Sequence, residues 1–261
     1  MKILYTILRA LLITLLALII VLPMAIFVVA SLPQVQQKLC KVSETELFKL
    51  LGTEVDIDHV KITPFNHITV GGVTIKDDND KDALNVKTIA AGIDLYEFFK
   101  NDKIVITHAA IIGLYARLYK NSPEAQLNIQ GIIDHLQPKD KNKPPTQFDL
   151  RINTVVIRES QASFDILSEP TLANRFDKNH IKVSDFNADV YLPQLKNNDF
   201  IFNIKRLQAK EQSGINFTSL TGDFHITSDV IKVGGLSIAL NNSSLAFGDI
   251  NLATNELKNI P

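Results

Sequence analysis

From residue 55 onward, short runs of the sequence alternate apolar and polar residues, and this period of two most restricts the fold. Val55 and Ile57 alternate with acidic residues, and the pattern returns repeatedly up to Leu252. Short alternating runs bounded by Asn, Asp, Gly and Pro are typical of antiparallel strands with one apolar face. We therefore expect a mainly β protein built from antiparallel strands. Alternation alone does not distinguish an open sheet from a closed β-sandwich, and it favours the sandwich, because single apolar faces usually pack against each other.

The phase of the alternation changes at several points. Val60 and Ile62 continue one residue out of phase with the apolar positions before them, and such a slip needs a bulge or bend if the apolar side is to stay on one face. We predict that glycines mark two of these bends, because glycine adopts the backbone angles required; paired glycines also occur in hairpin turns. The four predicted bend residues are Gly71, Gly72, Gly234 and Gly235.

The segment from Ala109 to Leu118 departs from simple alternation. Ile111 falls on one side of an ideal strand and Leu114 on the other, so both faces are apolar. This pattern predicts a strand that protein covers on both sides.

Residues 11–30 contain no charged side chain, and 14 of these 20 are Leu, Ile, Val or Phe. Twenty helical residues cover about 30 Å, the hydrocarbon thickness of a bilayer. Lys2 and Arg9 precede the run, which predicts a cytoplasmic N-terminus and translocation of the rest. A cleaved signal peptide is the alternative, although its apolar region is usually shorter. The expected membrane anchor contains Leu11, Leu15, Leu18, Leu22, Ile26 and Val29.

An amphipathic helix is predicted from Gln34 to Leu51, because Pro33 suits a first helical turn and Gly52 a helix end. A plain packing role and a lipid-surface role are both open for it. The proline-bearing polar segment Pro138 to Pro145 predicts a linker. The expected organisation is a cytoplasmic stub and anchor at 1–32, a helix and β block at 33–137, a linker at 138–146 and a second β block at 147–261.

Composition and motifs exclude several function classes. The 27 basic and 28 acidic residues nearly cancel, so nucleic acid is not an expected partner. A single cysteine, Cys40, excludes a disulfide framework, and the six histidines lack metal-ligand spacing. The acidic run from Asp77 to Asp80 is interpreted as a hairpin turn. Because no nucleophile or phosphate-loop motif is present, we expect no enzyme, cofactor or metal.

Several short segments together resemble a known family. After an apolar N-terminus come Leu32–Gln36, Leu50–Val55, Gly72–Asp77 and Leu127–Asp134. In this order they resemble the start of AsmA-like proteins, and more closely the TamB family, the translocation and assembly module subunits of Gram-negative bacteria, in the form found in Bacteroidota. The resemblance covers about residues 1–165. TamB proteins are several times longer than this chain.

The resemblance implies a single-pass inner-membrane protein whose periplasmic part is a long curved sheet. Its apolar groove would hold phospholipid acyl chains, for phospholipid transport between the membranes, outer-membrane protein assembly or both, with an outer-membrane barrel of the TamA or BamA type as a partner. The alternative is an assembly scaffold that pairs through its sheet edge without lipid transfer. The expected groove residues are Val55, Ile57, Ile68, Val70, Ile89, Ile93, Phe148, Leu150, Phe186 and Val190.

Overall fold

The structure, a computed structural model, describes residues 21, 24–25, 27–63, 67–94, 97, 100, 105–136, 153–172, 175–196 and 199–253. Its elements, in chain order, are α1 (Pro33–Leu51), β1 (Val55–Thr63), β2 (His67–Lys76), β3 (Asp82–Ile93), β4 (Ile106–Lys120), α2 (Gln130–Leu136), β5 (Thr154–Ile166), β6 (His180–Lys196), β7 (Asp199–Glu211), β8 (Asn216–Thr227), β9 (Val230–Leu240), β10 (Ser244–Ala246) and β11 (Ile250–Ala253).

The strands form one open, curved sheet in which neighbours in the chain are neighbours in space. β1 to β9 follow each other in order, and β10 and β11 both pair with β9, at its two ends. The mainly β prediction is confirmed. The sandwich alternative is wrong, because the described strands all belong to a single sheet.

The expectation of a wholly antiparallel sheet is also wrong, because β4 and β5 run parallel. Parallel neighbours need a long connection that carries the chain back to the starting end. Here that connection spans residues 121–153 and includes α2. The predicted linker at 138–146 lies outside the described residues but within this crossover. The sheet therefore continues from the first predicted β block into the second.

The predicted amphipathic helix is confirmed as α1, which begins with proline and ends at Gly52. Gly52 has φ +72°, the left-handed conformation that glycine adopts most readily. Its backbone N–H donates to the carbonyl oxygen of Phe48 at 2.8 Å. The helix packs on the first strands of the sheet through Leu39, Leu47 and Leu51.

The apolar side chains of the first four strands change phase at one common level. In β1, Ile57 and Val60 are three residues apart, yet both belong to one buried cluster. Strict alternation would place them on opposite faces, so an irregular residue lies between them. The same spacing recurs at this level in β2, β3 and β4, in the pairs Val70 and Val73, Val86 and Ile89, and Ile111 and Leu114.

Positive φ angles mark this level across the sheet. Gly72 in β2 and Gly113 in β4 have φ of +60° and +67°, and Glu159 in β5 and Asp185 in β6 continue the line with +53° and +50°. The pairing of β1 with β2 and of β2 with β3 keeps its register past this level, because both strands of each pair slip together. We call this line the first crease.

A second bend lies in β9, where Gly235 and Leu236 stand opposite the single residue Gly222 of β8. Gly235 has φ +56°, and the pairing register shifts by one residue here, which is the geometry of a β-bulge. The two glycine pairs therefore lie inside β2 and β9 rather than in hairpin turns.

The structure differs from the sequence-based prediction for β4, because the first crease passes through this strand. Ile111 and Leu114 were expected on opposite faces, but both contact the same buried cluster. Gly113 between them reverses the alternation. A Cβ atom at Gly113 would lie 2.8 Å from Cβ of Lys87, so glycine is required here by space as well as by φ.

Among the described residues, no helix combines the length and apolarity needed to cross a membrane. Of the predicted anchor residues, Leu11, Leu15, Leu18, Leu22 and Ile26 lie outside the described residues. Val29 lies in the helical turn at 27–30 and is 53 % exposed.

Substituting glycines of the first crease and of the β9 bend tests their role. Gly72→Ala should lower the free energy of unfolding by about 2 kcal/mol, because φ is positive and the new Cβ would meet Asp58. Gly235→Ala should cost about 1 kcal/mol, since the φ is equally unfavourable but the space is open. Gly248→Ala, which meets no atom within 4 Å, is the control. Urea unfolding measures all three, and equal stability of Gly72→Ala and Gly248→Ala would contradict the crease.

Candidate functional site: an apolar sheet face

One face of the sheet is apolar from its first strand to its last. Residues directly opposite each other in neighbouring strands share a face, so the pairing register traces rows across the sheet. One row contains only apolar residues in ten successive strands: Val60, Val70, Ile89, Ile111, Ile157, Ala188, Leu207, Leu220, Ile238 and Leu245. We call the face that carries this row the apolar face.

Neighbouring rows extend the same face along the strands. A second row contains Ile62, Ile68, Ala91, Ala109, Val155, Val190, Ile204 and Gly222. Towards β7 to β11 a further row contains Phe202, Phe224, Val233 and Ile250. The rings of Phe202 and Phe224 stack with centroids 4.8 Å apart, so the register and the side-chain packing agree.

The opposite face is polar between β6 and β9. Its cross-strand pairs include Asn187 with Gln208, Ser184 with Lys210, Asn203 with Asp223, Thr221 with Ser237, and His225 with Lys232. A sheet that is polar on one face and apolar on the other normally buries the apolar face against another layer.

Helix α1 covers only the first part of the apolar face. Val55, Ile57 and Val73 are buried in the cluster beneath it, together with Cys40 of the helix itself. From β5 onward, no described helix or strand packs on this face. Phe200 is accordingly 40 % exposed, Leu245 50 % and Leu252 40 %.

The predicted groove residues fall into three groups. Val55 and Ile57 are buried under α1, and Ile68, Val70 and Ile89 pack against the same cluster. Phe186 and Val190 lie half-buried on the apolar face of β6. Ile93 lies in β3 with its side chain outside the described residues, and Phe148 and Leu150 lie outside them entirely.

The most exposed part of the apolar face lies in β7 to β11, which the groove prediction omitted. Phe200, Leu245 and Leu252 are examples of its exposed residues, and Ile204, Phe224 and Ile238 are half-buried. The signal was present in the sequence, because the apolar residues of these strands alternate as regularly as those of β1 and β2. What alternation does not show is which strands the helix covers.

The predicted acidic hairpin turn is confirmed and is part of a buried polar cluster. Asp77 is 2 % exposed, and its Oδ1 accepts hydrogen bonds from the backbone N–H groups of Asn79 and Lys81. Its Oδ2 accepts from the Tyr119 hydroxyl at 2.9 Å and from Nδ2 of Asn128 at 3.1 Å. The cluster ties the β2–β3 turn to the end of β4 and to the crossover, and its carboxylate is fully occupied by protein donors.

The hydrogen bonds fix the charge state of Asp77. Burial opposes ionisation, but the donors from Asn128, Lys81, Asn79 and Tyr119 outweigh it, and the pKa of Asp77 is lowered from its ordinary value. The carboxylate therefore acts as a structural acceptor rather than as an acid or base.

A second polar cluster holds the β5–β6 connection. Nδ1 of His180 lies 3.0 Å from Oδ1 of Asp165, and Nε2 lies 3.0 Å from the carbonyl oxygen of Glu169. Both ring nitrogens face acceptors, an arrangement that favours the doubly protonated imidazolium form of His180. The hydrogen bond to Asp165 outweighs desolvation and raises the pKa of His180. Neither nitrogen is free to act as a general base.

One cavity lies beside the second polar cluster, and another lies beside the start of α1. One, of about 320 Å³, includes Asp165, Arg175 and Gln212 in its lining. The other, of about 330 Å³, is lined only by apolar side chains, among them Val29, Leu39 and Ile62, where the turn before α1 meets the end of β1. In the described part of the chain, no three His, Cys, Asp or Glu side chains are grouped to hold a metal ion.

No family model matches the sequence, and no curated protein matches it significantly.

Removing the central carboxylate tests the first polar cluster. Asp77→Ala should lower the free energy of unfolding by about 3 kcal/mol or more, because it leaves several buried donors without an acceptor. Asp82→Ala, at an exposed position of the same hairpin, should change it by less than about 0.5 kcal/mol. Urea unfolding followed by circular dichroism distinguishes them, and similar midpoints would refute the structural role of Asp77.

The second polar cluster predicts a pH dependence of stability. Because the folded pKa of His180 is raised, its contribution is complete below the unfolded value of about 6.5 and is lost as pH rises through the folded pKa. The difference in unfolding free energy between wild type and His180→Gln should therefore shrink as pH increases. Unfolding curves collected from pH 5.5 to 9 would measure this, and a constant or growing difference would be inconsistent with the imidazolium.

Proposed function

We propose that this chain is an inner-membrane-anchored periplasmic protein whose apolar face binds phospholipid acyl chains, in phospholipid transport between membranes, outer-membrane protein assembly or both. The observation that carries the proposal is the apolar face of β5 to β11, which no described element covers. Contiguous exposed apolar surface on a protein marks a binding site for an apolar partner. The apolar uncharged N-terminal run supports the membrane location.

The dimensions and chemistry of the face suit an acyl chain. Neighbouring strands are about 4.8 Å apart, so the part from β5 to β10 is about 24 Å wide, more than the roughly 15 Å hydrocarbon depth of one leaflet. Each methylene removed from water contributes about 0.8 kcal/mol. The three rows described above contain no Lys or Arg, so head groups would remain in water.

The polar clusters support binding rather than catalysis. Asp77 is occupied by four protein donors, and both nitrogens of His180 are hydrogen-bonded. Both clusters fasten connections at one end of the sheet. The resemblance of the N-terminal segments to AsmA-like and TamB proteins gives independent support for a lipid-holding sheet.

The second candidate function is an assembly scaffold that pairs through a sheet edge with a partner or client, such as an outer-membrane barrel of the TamA or BamA type. The observation that favours it is the edge formed by β10 and β11, beyond which no described strand lies. This function would use backbone groups, whereas lipid binding uses the apolar face.

Charge placed on the apolar face tests the lipid proposal. Purified wild-type protein should carry phospholipid detectable by mass spectrometry, and Ile238→Asp should reduce the amount at least about tenfold, because a charge in contact with an acyl chain costs several kcal/mol. The fold should survive, since the carboxylate can reach water across the open face. Ser237→Asp, one residue away on the polar face, is the matched control and should retain wild-type lipid.

Two results would contradict lipid binding on this face. One is wild-type protein without bound phospholipid. The other is equal lipid content in Ile238→Asp and Ser237→Asp while circular dichroism shows both variants folded. If Ile238→Asp instead unfolds the protein, the face is a closed core, and the proposal is equally refuted.

A further inference from the structure

The charges of the chain are distributed unevenly between its start and the rest. The first acidic residue is Glu44, so Lys2, Arg9, Lys38 and Lys41 precede all 28 acidic residues. Such an asymmetry indicates interaction with a membrane or with nucleic acid. The uncharged apolar run lies between the two basic pairs, and this position favours the membrane.

Helix α1 carries an apolar stripe that continues beyond its contact with the sheet. Val35, Leu39 and Val42 are spaced by four and three residues, so they follow one side of the helix. Val42 is 61 % exposed, and Leu32, immediately before the helix, is 50 % exposed. Lys38 precedes Val42 by four residues and lies on the same side. An exposed apolar stripe that includes a Lys is typical of a helix on a membrane surface.

The two basic side chains in the first half of α1 are not used within the described structure. Lys38 and Lys41 are exposed and form no ion pair with a described residue. Both carboxylates of the helix have other partners. Oε1 of Glu44 accepts a backbone N–H of β1 at 3.1 Å, and Glu46 pairs with Lys49 at 2.7 Å. The first half of α1 therefore has two positive charges available for an anionic group.

The apolar cavity of about 330 Å³ lies beside the same half of the helix. Val35 and Leu39 line it, together with Val29, Ala30 and Ile62. Its volume is at the lower end of the range of about 300–1,000 Å³ for small-molecule sites. Because the lining offers no hydrogen-bonding side chain and apolar cavities do not hold ordered water, the cavity suits hydrocarbon.

We propose that the start of α1 binds one anionic phospholipid of the surrounding membrane, with an acyl chain in this cavity and the phosphate at Lys38 and Lys41. The free lysines select an anionic head group, and the apolar run that ends at residue 30 brings the bilayer to the same place. The site rests on the membrane location in the proposed function, but it is separate from the apolar face of β5 to β11. Helix α1 would then both pack on the sheet and contact lipid.

Photolabelling of the full chain in phosphatidylcholine vesicles tests this site. The vesicles contain a trace of either phosphatidylglycerol or phosphatidylcholine that carries a diazirine in one acyl chain, and peptide mass spectrometry locates the adducts. The anionic probe should label Val35 and Leu39 at least about tenfold more than the neutral probe, because each Lys near an anionic lipid contributes about fivefold. Labelling by the anionic probe should saturate at one lipid per chain.

Two pairs of variants test the head-group and acyl-chain contacts. Lys38→Gln combined with Lys41→Gln should remove the preference for the anionic probe. Lys205→Gln combined with Lys232→Gln makes the same charge change at two exposed lysines of the sheet and should preserve it.

For the cavity, Val29→Trp should fill the space and lower labelling of Val35 and Leu39 at least about fivefold. Val28→Trp is the control, because Val28 is 60 % exposed and does not line the cavity. Circular dichroism shows that each variant is folded.

Three results would overturn this site: equal labelling of α1 by the two probes, the same preference in both double-lysine variants, or the same labelling in Val29→Trp and Val28→Trp. Peptides from β5 to β11 in the same digests report on the apolar face separately. Labelling of those strands without α1 refutes only the site at α1. Labelling of α1 without those strands supports this site and refutes lipid binding on the apolar face.

Discussion

The structure depends on the lateral alignment of phase changes in neighbouring strands. A strand that slips by one residue moves all its later side chains to the other face, so an isolated slip would break the apolar face in two. Here β1 to β4 slip at the same level, with Gly72 and Gly113 supplying positive φ angles. The apolar rows on the two sides of the crease consequently lie on the same face of the sheet.

Helix α1 gives the sheet its asymmetry. It buries the apolar face over the first strands and also accepts two N–H groups from the β1 edge. The strands from β5 onward have no such cover among the described residues. One molecule therefore combines a closed, packed end, which stabilises the fold, with an open end where both apolar side chains and edge backbone are accessible. The polar clusters around Asp77 and His180 hold the connections at one end of the sheet.

Local features of the fold were predictable from the sequence, and long-range ones were not. The alternation of apolar and polar residues predicted the strands, and the pattern at Val60 predicted a change of phase. Pro33 and Gly52 predicted the two ends of α1. The parallel pairing of β4 with β5 was missed, because it follows from the path of a long crossover and leaves no local pattern. Gly113 was missed as a crease residue, because a strand that is apolar on both faces and a strand whose alternation shifts by one residue have the same sequence pattern. The groove prediction included Val55 and Ile57, which α1 covers, because periodicity shows which face is apolar but not what packs on it.

The most direct test of the central claim uses the absence of tryptophan from the chain. Phe200→Trp and Tyr191→Trp place a single indole on the apolar and polar faces, at positions 40 % exposed in both cases. The full-length variants are reconstituted in vesicles containing phospholipid with brominated acyl chains, which quench tryptophan fluorescence on contact. Acyl-chain binding on the apolar face predicts strong quenching for Phe200→Trp and little for Tyr191→Trp. Equal quenching of the two, or none in either, would contradict acyl-chain binding on the apolar face.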